Sequence, residues 1–174
     1  MNTQTIKRIY DVFAKKAVEI FNADGSASPQ LFVIFEPDSD KPQFFGFPPE
    51  FSNELLCTES GKDSFKSFLA RVLKDEGFHE HLLKSGFPKP ALVVQISEVW
   101  VSNLTGIDPR KRLPPSKDPM RTEAIAVAIH TSECTLMGMC PIVDSPTRHA
   151  EYRDLDLETR NVGRLSLTTE ATLQ

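Results

Sequence analysis

The first apolar pattern along the chain has the spacing of one helical face. Apolar residues recur at i, i+3, i+4 and i+7, while lysine and arginine side chains occupy the other faces. The stripe consists of Ile6, Ile9, Tyr10, Phe13, Ala17 and Ile20. This spacing predicts an amphipathic helix from about Thr3 to Phe21, with Thr3 or Thr5 as its cap and the turn-forming residues 22–26 after it.

Two short β-prone runs follow the helix, at 31–36 and 43–47. The segment 37–42 between them is rich in proline, aspartate and serine, which favour turns. We therefore predict a hairpin, whose second strand is expected to end at Pro48 and Pro49.

Helical spacing returns at Lys62 and continues until Gly77 interrupts it. A further short helix is expected from His79 to Lys84. These two segments separate the hairpin from the remaining strands.

Three more strands are predicted in the second half of the chain. The run 91–101 is the longest apolar β-like run and predicts a central strand. In 123–130, isoleucine and valine alternate with alanine, so both faces are apolar and the strand should be interior. A last strand is expected over 135–140, closed by Pro141.

The order of elements is therefore α-β-β-α-(α)-β-β-β. Because consecutive strands lack crossover helices between them, we predict an α+β fold with a mainly antiparallel sheet of about five strands and two to three helices packed on one face. Residues 1–145 are predicted to form a single domain. Residues 146–174 are more polar and are interpreted as a C-terminal extension, with 164–168 as an edge strand or arm.

Charge and cysteine content restrict the class of protein. The formal net charge of −4 argues against a broad basic footprint for nucleic acid. No apolar run is long enough to cross a bilayer, and the first residues do not form a secretory signal. Three cysteines without a framework pattern indicate free thiols, so we expect a cytoplasmic protein that does not contact membranes.

Residues of the types used in metal sites do not have metal-site spacing. His79 and His81 are two positions apart and would point to different faces of a helix, so we predict a solvated helix face. His130, Cys134 and Cys140 lack a cysteine knuckle and a fourth ligand, so Cys140 is predicted to be a buried small hydrophobe. We predict no metal, no cofactor and no catalytic residue, and the sequence favours a non-enzymatic role.

The segment 102–121 is the part of the chain that folding explains least. A connection of about twenty residues between two interior strands is unusual in a compact domain. It contains five basic residues, two acidic ones and several prolines. The basic residues are Arg110, Lys111, Arg112, Lys117 and Arg121. Two interpretations stay open beside a merely solvated connection: docking to an acidic protein surface, or contact with nucleic acid or another anion.

The strands that flank this segment carry polar residues on an apolar background. Glu98 and Trp100 share a face of the predicted strand, and pairing of positions 101 and 123 would place them opposite Ala126 and Ala124. A carboxylate on that face needs a partner, and we expect Arg121 or the loop arginines to supply it. A structural ion pair is favoured over a catalytic glutamate, and Glu123 is included in the alternative of a ligand pocket.

The segments 97–100 and 115–124 together resemble an uncharacterised family of small bacterial, archaeal and phage proteins. That family shares an E-x-W strand, a P-S-x-x-P-x-R-x-E loop and a following strand, and the match covers about thirty residues, with Val99 where alanine is expected. The resemblance implies a prokaryotic or bacteriophage source and no particular activity.

We therefore expect a non-enzymatic accessory or protein-interaction protein that is phage- or prophage-encoded and contacts a protein partner through its basic loop. The first alternative is an enzyme or ligand-binding domain with a pocket at Glu98, Trp100, Arg121 and Glu123. The second is a nucleic-acid contact through the same loop. Assembly into a homo-oligomer is also expected, because an antiparallel sheet has edges to cover.

Overall fold

Every helix and strand predicted between residues 3 and 140 has a counterpart in the computed structural model, which describes residues 2–39, 41–102 and 117–155. The elements are α1 (Thr3–Asp24), β1 (Gln30–Phe35), β2 (Gln43–Gly46), α2 (Pro49–Cys57), α3 (Glu59–Lys74), α4 (Glu76–Lys84), β3 (Pro90–Val101), β4 (Thr122–His130), β5 (Thr135–Val143) and β6 (His149–Ala150).

The apolar stripe of α1 is buried as predicted, with Tyr10 and Phe21 fully enclosed. The helix begins at Thr3 as predicted, but its cap is Asn2 and not Thr3 or Thr5: the Asn2 side chain accepts the N–H of Thr5 at 2.8 Å. Its end comes at Gly25, where a φ of 77° forms a left-handed cap and the N–H bonds to the carbonyl of Phe21 at 2.7 Å.

The strands form one antiparallel sheet in the order β2-β1-β3-β4-β5-β6, which confirms the α+β prediction. The predicted hairpin of β1 and β2 and the interior position of β3 and β4 are both present. β6 adds a sixth strand at the edge next to β5.

Helices cover both faces of the sheet, whereas the sequence had suggested one. On the first face, called face A, α1 packs on β3 residues Leu92, Val94 and Ile96. On the opposite face B, α2 and α3 pack on β1 and on Val93 of β3. The reason is that β1 and β3 carry apolar side chains on both sides, so neither face can be left in water.

The helix α2 lies where Pro48 and Pro49 were expected only to end a strand. Pro49 occupies the first helical position, where proline has no N–H to lose and its fixed φ suits a helix. The next helix, α3, starts three residues before the predicted Lys62, because the Thr58 side chain caps it by accepting the N–H of Gly61 at 2.9 Å.

The strand β5 continues through Pro141 instead of ending there. The Pro141 carbonyl accepts the N–H of Glu151 at 2.9 Å and so faces away from β4. The proline nitrogen faces the same way, so no hydrogen bond to β4 is lost.

The chain beyond residue 145 still packs on the fold as far as residue 155. Ala150 and Leu155 are buried against α1, and Asn22 forms two hydrogen bonds with the backbone of Ala150, at 2.7 and 3.1 Å. The predicted edge strand or arm at 164–168 lies outside the described residues, and the domain boundary at 145 stays a prediction.

Candidate functional site

The pairing of β3 with β4 sets the geometry at the base of the predicted loop. Val101 lies opposite Thr122, so Trp100 faces Glu123 and Glu98 faces Ile125. The predicted register, with Glu98 opposite Ala126 and Trp100 opposite Ala124, was wrong by one residue. Both faces of β4 are apolar, and burial alone therefore does not select one register over its neighbour.

The observed register brings Glu98, Trp100 and Glu123 together on face A. Arg148, which immediately precedes β6, reaches this group from across β5. We call these residues, with Arg121, the hairpin-base cluster.

Arg148 is the partner of both carboxylates. Its Nη2 donates to Glu123 Oε2 at 2.6 Å and lies 4.0 Å from Glu98 Oε2. Its Nη1 donates to the carbonyl of Gly25 at 2.8 Å, and its guanidinium lies 4.9 Å from the centre of the Phe21 ring. From the sequence, Arg121 or a loop arginine was expected as the partner of Glu98. The structure places Arg148 beside it instead, and the loop arginines Arg110 and Arg112 lie outside the described residues.

Glu98 has a second bond that joins β3 to the end of α1. Its Oε1 accepts the backbone N–H of Ala27, two residues after the Gly25 cap. Glu98 and Arg148 therefore hold the α1–β1 connection from two sides, through Ala27 and Gly25. This pair therefore links the central strands to the end of α1 through charge-assisted hydrogen bonds.

The charges in the cluster stabilise one another. The hydrogen bond from Arg148 lowers the pKa of Glu123 below its ordinary value, and the bond from Trp100 acts in the same direction. The same contact with Glu123 raises the pKa of Arg148. Both groups thus stay ionised around neutral pH, and Glu123 is a weaker proton acceptor than an unpaired glutamate.

Trp100 stands at the solvent side of the cluster. Its side chain is 46% exposed, and its Nε1 donates to Glu123 Oε1 at 3.3 Å. The Arg121 guanidinium lies 4.1 Å from the centre of the indole ring, which is a cation–π contact. Arg121 therefore stacks on the tryptophan.

Residues next to this stack continue the exposed surface. Met120 is 81% exposed, and its N–H bonds to Asp118 Oδ1 at 2.8 Å in the turn that leads into β4. Lys117 is exposed as well. The other predicted loop residues, Arg110, Lys111 and Arg112, lie outside the described residues.

The histidines and cysteines divide into buried and exposed groups. His79 is only 2% exposed and its Nε2 donates to the carbonyl of Val72 at 2.8 Å, so the predicted solvated face was wrong for it. It is buried because α4 turns back on the end of α3, which sequence spacing does not reveal. Cys140 is buried as predicted, and Cys57 is exposed.

Within the described residues, no group of three or more His, Cys, Asp or Glu side chains is placed to hold a metal ion. No helix in that part of the chain is long and apolar enough to cross a membrane.

Comparisons with known proteins do not assign the chain to a family. No protein-family model, no curated protein and no solved structure matches the chain.

Proposed function

We propose that this chain is a non-enzymatic protein-interaction protein whose contact surface is centred on Trp100 and Arg121 and continues into the basic, proline-rich segment. The observation that carries the proposal is the half-exposed indole of Trp100, held in one orientation at the base of that segment. Tryptophan, arginine and methionine are among the side chains enriched at protein interfaces, and the exposed Met120 lies beside Arg121 here.

The support for a binding role lies in how firmly the indole is held. Glu123 accepts its N–H, Arg121 covers its ring, and Arg148 in turn fixes Glu123. A side chain that is already fixed loses little rotamer entropy when a partner binds, so more of the contact energy appears as affinity.

The charge of the surface indicates the chemistry of the partner. Arg121 and Lys117 carry positive charge beside the indole, and Arg110, Lys111 and Arg112 add more in the sequence of the connection. We expect an acidic protein surface with an apolar pocket for the indole. The resemblance of this hairpin to bacterial, archaeal and phage proteins supports a cytoplasmic accessory protein encoded by a phage or prophage.

The enzyme alternative would use Glu98 or Glu123 to move a proton. Both carboxylates are bonded to other groups in the fold, and the pKa of Glu123 is lowered. A general base near neutral pH needs a raised pKa, so this chemistry is disfavoured.

The nucleic-acid alternative has one specific point in its favour, since Trp100 offers a ring on which a base could stack beside a cation. It differs from protein docking in its salt dependence, because release of counterions from phosphates makes affinity fall steeply with added salt.

Capture of partners with variant baits tests the proposal. We expect a protein that is retained by the wild type and by Leu83→Ala, an exposed apolar change outside the hairpin-base cluster, and is lost from Trp100→Ala. A combined charge reversal of Arg110, Lys111 and Arg112 should lose the same protein. If every captured protein stays bound to both hairpin variants, the proposal is wrong.

The fluorescence of Trp100 separates the two binding alternatives, since it is the only tryptophan in the chain. Titration of the wild type with a single-stranded oligonucleotide should leave the emission unchanged if the partner is a protein. Salt-sensitive quenching that is lost with the charge reversal would replace protein docking by nucleic-acid contact.

A further inference from the structure

The two edges of the sheet are built differently. At one edge, β6 is only two residues long and has Arg148 before it and Glu151 after it. Short, charged edges of this kind resist pairing with another strand. At the other edge lies β2, whose residues Gln43–Gly46 are uncharged and all exposed.

The backbone of β2 offers hydrogen-bonding groups at its outer edge. Phe47 donates its N–H to the carbonyl of Leu31 in β1 at 2.9 Å. Because backbone groups alternate along an antiparallel strand, Phe45 and Gln43 also point to β1, while Phe44 and Gly46 point outward. Within the described parts of the chain, no strand pairs with these outward groups.

Aromatic side chains reach this edge on both faces. On face A, Phe44 is 64% exposed and its ring lies 6.2 Å from that of Phe32. On face B, Phe45 is 53% exposed and its ring lies 5.1 Å from that of Phe47.

Each of the two exposed rings borders an apolar groove. The groove on face A has a volume of about 650 Å³ and lies between α1 and the β1–β2 hairpin, with Val12 and Phe44 on its walls. The groove on face B, of about 270 Å³, is lined entirely by apolar residues, including Phe45, Phe78 and Phe87. An edge with apolar surface on both sides can bury far more area than its four backbone residues alone.

We propose that two copies of this chain join through β2, around a twofold axis at Phe45, to form one continuous antiparallel sheet. This inference concerns a different surface from the proposed function and does not depend on it.

The backbone selects this register. With Phe45 on the axis, Phe44 of each copy lies opposite Gly46 of the other, so every outward N–H and C=O of these two residues is paired. An axis at Phe44 would place Gly46 opposite Pro42, which has no N–H to donate, and the Gly46 carbonyl would be left without a partner.

The side chains fit the same register. A methyl group on Gly46 would approach the Phe32 ring to 3.1 Å, so that ring already lies over the glycine. Since Gly46 has no side chain, the Phe44 ring of the second copy can reach Phe32 across it, as aromatic residues do at edge glycines. The two Phe45 rings then meet across the axis on face B.

Charge does not oppose this pairing. The paired residues are all neutral, so the twofold axis brings no like charges together. At the ends of the junction, the exposed Lys41 of one copy approaches the segment that holds the exposed Glu50 of the other. A second copy of the chain is therefore a complementary occupant of this edge.

The oligomeric state tests the proposal. In sedimentation equilibrium of the full chain, the wild type should be a dimer, and Phe44→Lys or Phe45→Lys should raise the dissociation constant by about tenfold or more. Leu83→Lys, an exposed apolar change outside the two grooves, should remain dimeric, and circular dichroism should show that all three variants are folded. A wild type that is monomeric up to about 1 mM overturns the proposal.

Cysteine cross-linking tests the register. In a Cys57→Ser, Cys134→Ser background, Phe45→Cys should form a disulfide-linked dimer on oxidation, because paired Cα atoms at such a position are about 4.5 Å apart. Phe44→Cys is the matched control, since its two Cα atoms would be separated by two residues along the strands as well as by the strand spacing, about 9 Å in all, and a disulfide tolerates only about 7 Å. Equal or faster cross-linking of Phe44→Cys would overturn the proposal.

Discussion

We expect His130 to make the fold less stable as the pH falls below about 6.5. The imidazole is fully buried on face B, with Nδ1 2.9 Å from the hydroxyl of Thr135 and Nε2 3.1 Å from Oε1 of Gln95. The ring meets the Phe65 ring edge to face, with the two centres 5.5 Å apart. Burial lowers the pKa of His130 from 6.5 to about 4, because the charged form would lose its hydration.

The sign and size of the effect follow from the two pKa values. Between pH 6.5 and 4 the unfolded chain binds a proton at His130 that the native state does not, so protonation favours unfolding. The free energy of unfolding should decrease by about 2 kcal/mol at pH 5 relative to neutral pH, and by about 3 kcal/mol at pH 4. Below pH 4 the native state also binds the proton and the loss stops increasing.

Urea denaturation at a series of pH values between about 7 and 5 measures this loss. His130→Gln keeps a polar side chain of similar size but cannot be protonated. Between about pH 7 and 5 it should therefore lose about 2 kcal/mol less unfolding free energy than the wild type does. His81→Gln, a change at an exposed histidine, is the matched control and should keep the wild-type dependence. If the curve of His130→Gln runs parallel to that of the wild type, the burial argument is wrong.

Two further changes test a packing contact and an ion pair on face A. A methyl group at Gly138 would overlap the phenol ring of the fully buried Tyr10, so Gly138→Ala should lower the free energy of unfolding by about 3 kcal/mol, as measured by urea denaturation. Gly77→Ala is the control, and its free energy of unfolding should stay within about 1 kcal/mol of the wild type. Arg148→Met should raise the pKa of Glu123 toward its ordinary value, as followed by carboxyl NMR, and an unchanged titration would show that Arg148 is not its main partner.

The parts of the fold that the sequence predicted well depend on local periodicity. The stripe of α1 repeats every three to four residues, and in β4 isoleucine and valine alternate with alanine at the two-residue period of a strand. Both signals are carried by side chains close in sequence, so they can be recognised before the tertiary structure is known. The proline-rich connection was recognised for a similar reason, as an interruption between two apolar runs.

The parts that it missed depend on contacts between distant residues. Arg148 lies 25 positions after Glu123 in the chain and reaches it only because β6 returns beside β5. The register of β3 with β4 could not be fixed, because β4 is apolar on both faces. The sequence did show that Glu98, a carboxylate on an apolar face, needed a cation. This identified the kind of partner but not its position in the chain.

Within the hairpin-base cluster, the charged residues and the tryptophan have different relations to the fold. Arg148, Glu98 and Glu123 tie the start of β6 and the end of α1 to the central strands through contacts that do not involve the indole. Trp100 belongs to neither buried apolar cluster of the described residues, and nearly half of its surface meets water. Core packing therefore does not explain why a tryptophan, the largest side chain, occupies position 100, where the basic connection leaves the sheet. Trp100→Ala is accordingly expected to leave the urea midpoint almost unchanged while it abolishes capture of the proposed partner, and a large loss of stability would instead assign the indole a structural role.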